Sequence, residues 1–365
     1  MSSPLHNVSD AGVSIWLDDL SRDRLQSGSL SELIKNSCVV GVTTNPSIFS
    51  VAIKKSTLYK ADILSLKAAK EGVTSTVTRL TTEDVREACD LFAATFNESD
   101  HIDGRVSIEV DPFLAHETEK TIDQGKTLWN IVDRPNLLIK VPATLAGLPA
   151  ITALTAAGIS VNVTLIFSVD RYQKVIDAYM TGLEERVAQG LAITEIHSVA
   201  SFFVSRIDTE IDKRLDAISV ASPLRGQSAI ANAHLAYEAF LSSIESDRWK
   251  KLLVSGANLQ RPLWASTGVK DKSFDSTRYV IELIASHCVN TMPESTLDEV
   301  REHGIVRGDT INANFAHAHQ HFNELALAGI DFDDVVEFLE EDGVKKFADA
   351  WQELLNNIEN VRAVG

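Results

Sequence analysis

Short runs rich in β-branched and apolar residues recur along the chain, separated by longer stretches with a helical period. The runs predict strands over 14–19, 39–45, 106–111, 137–143, 159–167, 196–204, 262–267 and 288–292. Strands that alternate with helices pair in parallel through right-handed crossovers. Eight such units fit a closed (β/α)8 TIM barrel with additional helices, and an open doubly wound sheet is the competing architecture.

The connecting stretches carry helix signals. Ser29-Leu-Ser-Glu32, Thr81-Thr-Glu-Asp84 and Thr296-Leu-Asp-Glu299 have the spacing of capping boxes. Ser168 stands as N-cap to an amphipathic stretch through Tyr172, Val175, Ile176 and Tyr179. Gly28, Gly158 and Gly329 fall where helices should stop. The interval 207–261 is long for one crossover, which predicts two or more helices with a loop at 221–226. After Met292 the pattern is helical, with breaks at Gly329 and Gly343. No repeat or shift in composition marks a boundary. The reading is one domain over 1–365, a barrel with a helical insertion at about 207–261 and a helical C-terminal segment at about 294–365.

Side chains along a strand alternate between its two faces, and in a barrel one face meets the helical ring while the other points inside. In Arg105-Val-Ser-Ile-Glu-Val-Asp-Pro112, Val106, Ile108 and Val110 form the apolar face and Ser107, Glu109 and Asp111 the polar one. Lys140 opposes Ile139 and Val141 and shares its face with Leu138. Asn162 and Thr164 alternate with Val161, Val163, Leu165 and Phe167. Asp18 is in phase with Ser14 and Trp16, which assigns Asp19 to the opposite face; Thr43 and Asn45 share a face with Gly41. Five strands therefore send a polar or ionisable side chain inward near their carboxyl ends, where barrel enzymes carry their chemistry. A lone Asn or Thr there is ordinarily a satisfied structural group. A Lys, an Asp and a Glu inside strands are a different matter, because burying unpaired charge is too costly to be incidental.

Composition narrows the partners. Of the 365 residues 44% are hydrophobic, ample for the core of such a barrel. The net charge of −17 argues against a nucleic-acid or membrane-surface binder, and leaves room for a small anion held by a few concentrated cations. Residues 141–169 carry no charge, as a membrane span would, but Pro142, Gly147, Pro149, Gly158 and Asn162 divide them into strand end, loop, short helix and buried strand. Residues 1–12 have neither the basic nor the apolar region of a signal peptide. Cys38, Cys89 and Cys288 are odd in number and far apart, which reads as buried thiols in a reducing cytoplasm rather than as disulfides or zinc ligands.

A free lysine has a pKa of about 10.4. Desolvation in a barrel interior lowers that value and makes an amine nucleophilic towards carbonyls. The resulting iminium withdraws electrons, so an adjacent carbon–carbon bond breaks or forms at an enamine stage. Nearby carboxylates relay the protons when burial raises their own pKa. Lys140 with Asp18 and Glu109, beside hydroxyl-binding Asn, Ser and Thr side chains, is the set a Schiff-base aldolase needs. Arg206, closing Ser201-Phe-Phe-Val-Ser-Arg206, and Lys270, closing Ala265-Ser-Thr-Gly-Val-Lys270, follow strand ends and are candidates for holding a phosphate. Each taken alone reads equally well as a surface cation.

Six segments, one per strand and in order, resemble the transaldolase family: Trp16-Leu-Asp18, Thr43-Thr-Asn-Pro-Ser47, Ser107-Ile-Glu-Val-Asp111, Leu138-Ile-Lys140, Asn162-Val-Thr-Leu-Ile-Phe-Ser168 and Ser201-Phe-Phe-Val-Ser-Arg206. The resemblance implies a class I enzyme of the pentose phosphate pathway that moves a dihydroxyacetone unit between sugar phosphates with no cofactor or metal. The reaction would convert sedoheptulose 7-phosphate and glyceraldehyde 3-phosphate to erythrose 4-phosphate and fructose 6-phosphate. By the same resemblance Lys140 is the Schiff-base residue, Asp18 the acid/base at the substrate C4 hydroxyl, and Glu109 a proton shuttle through a water held by Thr164. Asn45, Asn162 and Ser201 would hold the dihydroxyacetone part and Arg206 the phosphate. The seventh strand departs from the family pattern: many relatives follow Ala-Ser-Phe with Arg or Lys, whereas here Ser266 aligns and Lys270 substitutes for the displaced cation. Phe203 occupies a position that tends to be Phe in transaldolases and Tyr in the related fructose-6-phosphate aldolases, which favours transfer over free aldol cleavage.

Three other readings compete. A fructose-6-phosphate aldolase would release dihydroxyacetone without an acceptor. A metal enzyme would draw on Phe315-Ala-His-Ala-His-Gln-His321, where His317 and His321 share a helical face, but no acidic residue stands among them and a solvated polar face is the plainer reading. A non-catalytic binding barrel would lose nothing on replacement of Lys140. Nothing in the sequence chooses between a monomer and a homodimer.

Overall fold

The computed structural model describes residues 3–218 and 223–364. Its eight strands are β1 (Val13–Leu17), β2 (Val39–Val42), β3 (Arg105–Glu109), β4 (Leu137–Pro142), β5 (Val161–Ile166), β6 (Ser198–Phe203), β7 (Gln260–Ala265) and β8 (Cys288–Met292). They pair in sequence order, all parallel, and β1 closes onto β8 from Val13↔Cys288 to Leu17↔Met292. That last pairing makes the sheet a closed barrel and excludes the doubly wound alternative. The helices pack their apolar faces on its outside.

Several predicted strands overrun. β1, β2 and β3 stop at Leu17, Val42 and Glu109, so Asp18, Thr43, Asn45 and Asp111 lie just past strand ends. Two of these polar groups serve the backbone. Asn45 caps the helix Pro46–Lys55 by accepting from the Ile48 amide at 3.1 Å, and Asp111 accepts from the Phe113 amide at 2.9 Å.

β5 breaks strict alternation. Its register against β6 shifts between Val163 and Ile166, and Leu165 takes a left-handed φ of 59°. Such a bulge re-aims the following side chains. Leu165 and Phe167, expected on the helix-facing side, reach the helix Phe332–Val364: a Cβ placed on Gly343 would meet Leu165 Cδ2 at 3.0 Å and Phe167 Cε2 at 3.4 Å. The break expected at Gly343 does not occur, and the helix runs on through it. The missing side chain serves close approach here. This helix crosses the carboxyl end of the barrel and is tied down along its length by Glu340 to Arg171 (2.8 Å), Glu353 to Lys54 (3.0 Å) and Asn357 to Ser50 (3.2 Å).

Other local signals fare unevenly. Ser168 caps its helix by accepting from the Arg171 amide at 3.1 Å, and Gly158 and Gly329 adopt left-handed conformations just past helix ends. Gly28 is also left-handed, and the next helix begins directly after it. None of the three capping-box motifs caps a helix. Thr81 and Thr82 lie within the helix Val73–Leu91 and bond back to the carbonyls of Val77 and Thr78, while Thr296 is already inside Glu294–His303 and Ser29 follows Gly28 as the first helical residue. The 207–261 interval holds the end of Ser205–Ala217 followed by Ser228–Ile244 and Asp247–Val254; positions 221 and 222 of the loop expected there lie outside the described residues. Among the described residues no helix is long and apolar enough to cross a membrane. All three cysteines are free thiols.

Candidate active site

Register places the central pair. Glu109 and Lys140 face one another across β3 and β4, and Lys140 faces Asn162 across β4 and β5. Lys140 is 4% exposed; its Nζ lies 3.3 Å from Glu109 Oε2 and donates to the Thr44 carbonyl at 3.1 Å. The Phe347 ring, carried by the helix across the barrel mouth, stands 5.6 Å from Nζ. Glu109 is 8% exposed, and burial pushes its carboxyl up to about 7 against the opposing pull of Lys140.

Asp18 follows β1 directly and turns inward. Thr43 Oγ1 donates to Asp18 Oδ1 at 2.7 Å and also meets Thr291 Oγ1 at 2.6 Å. Because a hydroxyl carries one proton, Thr291 is the donor in that second bond. Burial raises the Asp18 pKa, partly offset by Lys140 and by Thr43. Asp19 turns the other way, to Arg24 at 2.6 Å. A second chain runs across the middle of the barrel: Ser201 Oγ donates to Asn162 Oδ1 at 2.7 Å, and Asn162 Nδ2 donates to Ser107 Oγ at 2.9 Å. The buried Thr164 Oγ1 has no hydrogen-bond partner among the described residues. Asn45 sits at the edge of the mouth, its Oδ1 engaged by the cap.

Positive charge gathers at one side. Arg206 opens the helix that follows β6, its guanidinium 5.2 Å from the Phe203 ring, and its Nη1 has no partner among the described residues. Burial lowers the Arg206 pKa, opposed by Asp342. Lys270, in the loop after β7, is lowered by burial and by the nearby charges of Arg206 and Lys346. Lys346 pairs with Asp342 at 2.6 Å, one turn apart on the long helix. Ser266 adopts a left-handed φ of 57° and its Oγ meets that of Ser205 at 3.0 Å, beside Arg206. Phe203 packs on Phe167 at 5.2 Å.

The residues that sequence reasoning missed are Thr291, Phe347, Asp342 and Lys346. Alternation along β8 could have found Thr291. The others arrive on a helix remote in sequence, and no local pattern marks them. No group of three or more metal-binding side chains occurs among the described residues. The His-rich segment is a solvated face only in part: His317 is exposed and His319 meets Glu238 at 2.7 Å, but His321 is buried against Ser228 at 2.8 Å.

A closed parallel barrel with a lysine–carboxylate cluster at the carboxyl ends of its strands is an arrangement suited to carbonyl chemistry. A profile of the family described as Transaldolase/Fructose-6-phosphate aldolase matches residues 15–358. Proteins named transaldolase from Mycobacterium bovis and Mycobacterium tuberculosis are 59% and 58% identical over 351 residues, covering 95% of this chain and 94% of each relative. The Mycolicibacterium smegmatis transaldolase is 58% identical, covering 96% of this chain and 95% of its own. The chain belongs to the transaldolase/fructose-6-phosphate aldolase family.

Proposed function

We propose that this chain is a cytoplasmic transaldolase of the pentose phosphate pathway, one domain from end to end, whose Lys140 carries a dihydroxyacetone unit as a Schiff base. The observation that carries the reading is a buried lysine amine 3.3 Å from a carboxyl group that burial holds near neutrality. The free thiols are in keeping with a reducing compartment.

The cycle begins when the Lys140 amine adds to the C2 carbonyl of fructose 6-phosphate or sedoheptulose 7-phosphate. Glu109, through a water held by Thr164, delivers the proton that lets the carbinolamine lose water and become an iminium. Asp18 takes the proton of the C4 hydroxyl, the C3–C4 bond breaks, and its electron pair flows to the iminium nitrogen. An aldose phosphate leaves, and the enamine remains until it attacks the aldehyde of a second aldose phosphate. Asn45, Asn162 and Ser201 hold the dihydroxyacetone hydroxyls, with Ser266 and Phe203 lining the pocket. Arg206 holds the phosphate with Lys270, joined by Lys346. The cycle needs no metal, so activity persists after exhaustive chelation.

A simple aldolase would protonate the enamine and release dihydroxyacetone. The mouth is crossed by a helix that sets Phe347 over Lys140, which favours transfer by keeping water from the enamine. Turnover of fructose 6-phosphate should therefore rise sharply when erythrose 4-phosphate is added. The deciding experiment is borohydride reduction in the presence of fructose 6-phosphate, followed by peptide mass mapping. A dihydroxyacetone adduct on Lys140 is expected; labelling elsewhere, or none, overturns the reading.

A further inference from the structure

The alternation that carries Glu109 to the upper end of β3 carries Arg105, four residues earlier, to the lower end, roughly 13 Å away along the strand. There the amino-terminal ends of the strands enclose a pocket of about 210 Å³, walled by Arg105, Arg261 and His197 over an apolar floor of Leu138 and Val199. Arg105 is 1% exposed. Its guanidinium donates to the carbonyl oxygens of His101 at 3.1 and 2.5 Å and of Pro135 at 3.5 Å. Among the described residues no carboxylate lies within ion-pair distance of it. Those bonds leave part of the donor capacity of a five-donor guanidinium uncommitted.

Arg261 has a partner, Asp103 at 2.8 Å, and Ser14 links the two. Two buried guanidiniums thus share one paired carboxylate, in a chain whose net charge is −17. The charged groups at the rim, His101, Glu195 and His287, do not balance this: Glu195 is exposed and turned to His101 at 3.3 Å, and His287 is exposed. Unpaired positive charge on buried side chains is a costly state that a bound oxyanion would relieve. A second, independent observation points the same way. His197 is 8% exposed and lines the pocket, yet its ring has no hydrogen-bond partner among the described residues. Burial and the two arginines push its pKa down to about 2, so it stands neutral, with a ring N–H free to donate.

We propose that this pocket is a second ligand site, which takes the phosphate or carboxylate group of a small metabolite on Arg105, Arg261 and His197. Arg–oxyanion pairing supplies the charge recognition, His197 the third donor, and Leu138 and Val199 the surface for a short carbon skeleton. The site is distinct from the Lys140 mouth and does not depend on the chemistry proposed there.

The test is isothermal titration of the full-length protein with inorganic phosphate and with citrate. Because the upper mouth is also cationic, the reference protein carries Arg206→Ala. One saturable event is expected to persist in that variant. Adding Arg105→Met, or separately His197→Leu, should weaken it about tenfold or more, the loss of a charged or buried hydrogen bond. The His197 variant exchanges one neutral side chain for another, so it reports even if Arg105→Met fails to fold. In ¹⁵N-histidine spectra of the Arg206→Ala protein, the His197 ring signal should move with the same midpoint. Binding of phosphate alone assigns the site to phosphate esters, and binding of citrate alone to polycarboxylates. No saturable binding in Arg206→Ala, or binding unchanged by both pocket variants, overturns the proposal and leaves the arginines as a structural plug.

Discussion

Lys140 Nζ lies 3.3 Å from Glu109 Oε2, and the two residues occupy the same register position on neighbouring strands. The pair therefore cannot drift apart without breaking the barrel ladder. In the folded protein the Glu109 carboxyl titrates near 7 rather than at its ordinary 4.5. The activity profile of kcat/KM should carry a limb near pH 7 set by Glu109, and Glu109→Gln should abolish it. Turnover in that variant should fall by about 10²- to 10⁴-fold.

The same shift makes a stability prediction. Between pH 4.5 and 7 the folded protein holds a proton on Glu109 that the unfolded chain releases. Stability is therefore lost as pH rises through that window, by about 3 kcal/mol at most from this group. Urea denaturation at pH 5 and pH 8 should show the native protein losing more stability with rising pH, or gaining less, than Glu109→Gln, because His197, buried and neutral, acts in the opposite sense in both. An equal change in the two proteins would contradict the assignment.

Asp18 and Asp19 adjoin in sequence but turn to opposite sides, one to Thr43 and the other to Arg24. Asp18→Asn should cut turnover by about 10²-fold or more with little change in melting temperature. Asp19→Asn should leave turnover near the native value and cost about 1 kcal/mol or less, since its ion pair is partly exposed. Steady-state kinetics on the two variants separates them.

Arg206, Lys270 and Lys346 should differ in weight. Arg206 is deeply set, with an unpartnered Nη1, and Arg206→Ala should raise KM for fructose 6-phosphate about 10- to 100-fold. Lys346 is exposed and Lys270 is only partly covered, so their alanine variants should raise KM only by a few-fold, an effect that fades with added salt. Inhibition by inorganic phosphate should follow the same ranking.

Gly343 offers a test of how closely the long helix must lie. An alanine there gains about 1 kcal/mol of helix propensity but brings its Cβ to 3.0 Å from Leu165 Cδ2, so the two effects should nearly cancel in the melting temperature. Gly343→Leu has no such room. It should cost about 1–3 kcal/mol and raise KM as the helix is lifted from the mouth.

Much of this was legible in the sequence because parallel strands buried on both faces announce themselves, and because alternation separates Glu109 and Lys140 from their apolar neighbours. All eight strands were found this way. Where the pattern misled, tertiary packing overrode a local rule. Leu165 reads as an outward residue, but a bulge turns it towards Gly343. Gly343 reads as a helix stop, yet its small size is used for contact rather than for φ. Thr81-Thr-Glu-Asp84 has the spacing of a cap, but the helix has already begun at Val73 and Asp84 is held by Arg22 and Tyr59. The contributions of Phe347 and Lys346 depend on a helix whose docking no nearby residue encodes.

That helix, Phe332–Val364, is made after every strand of the barrel. Domains fold as units, and this helix buries Val335, Leu339, Leu354 and Ile358 in the same core as the strands. A chain still being translated therefore completes that core, and with it the cover over the barrel mouth, only when the helix has left the ribosome.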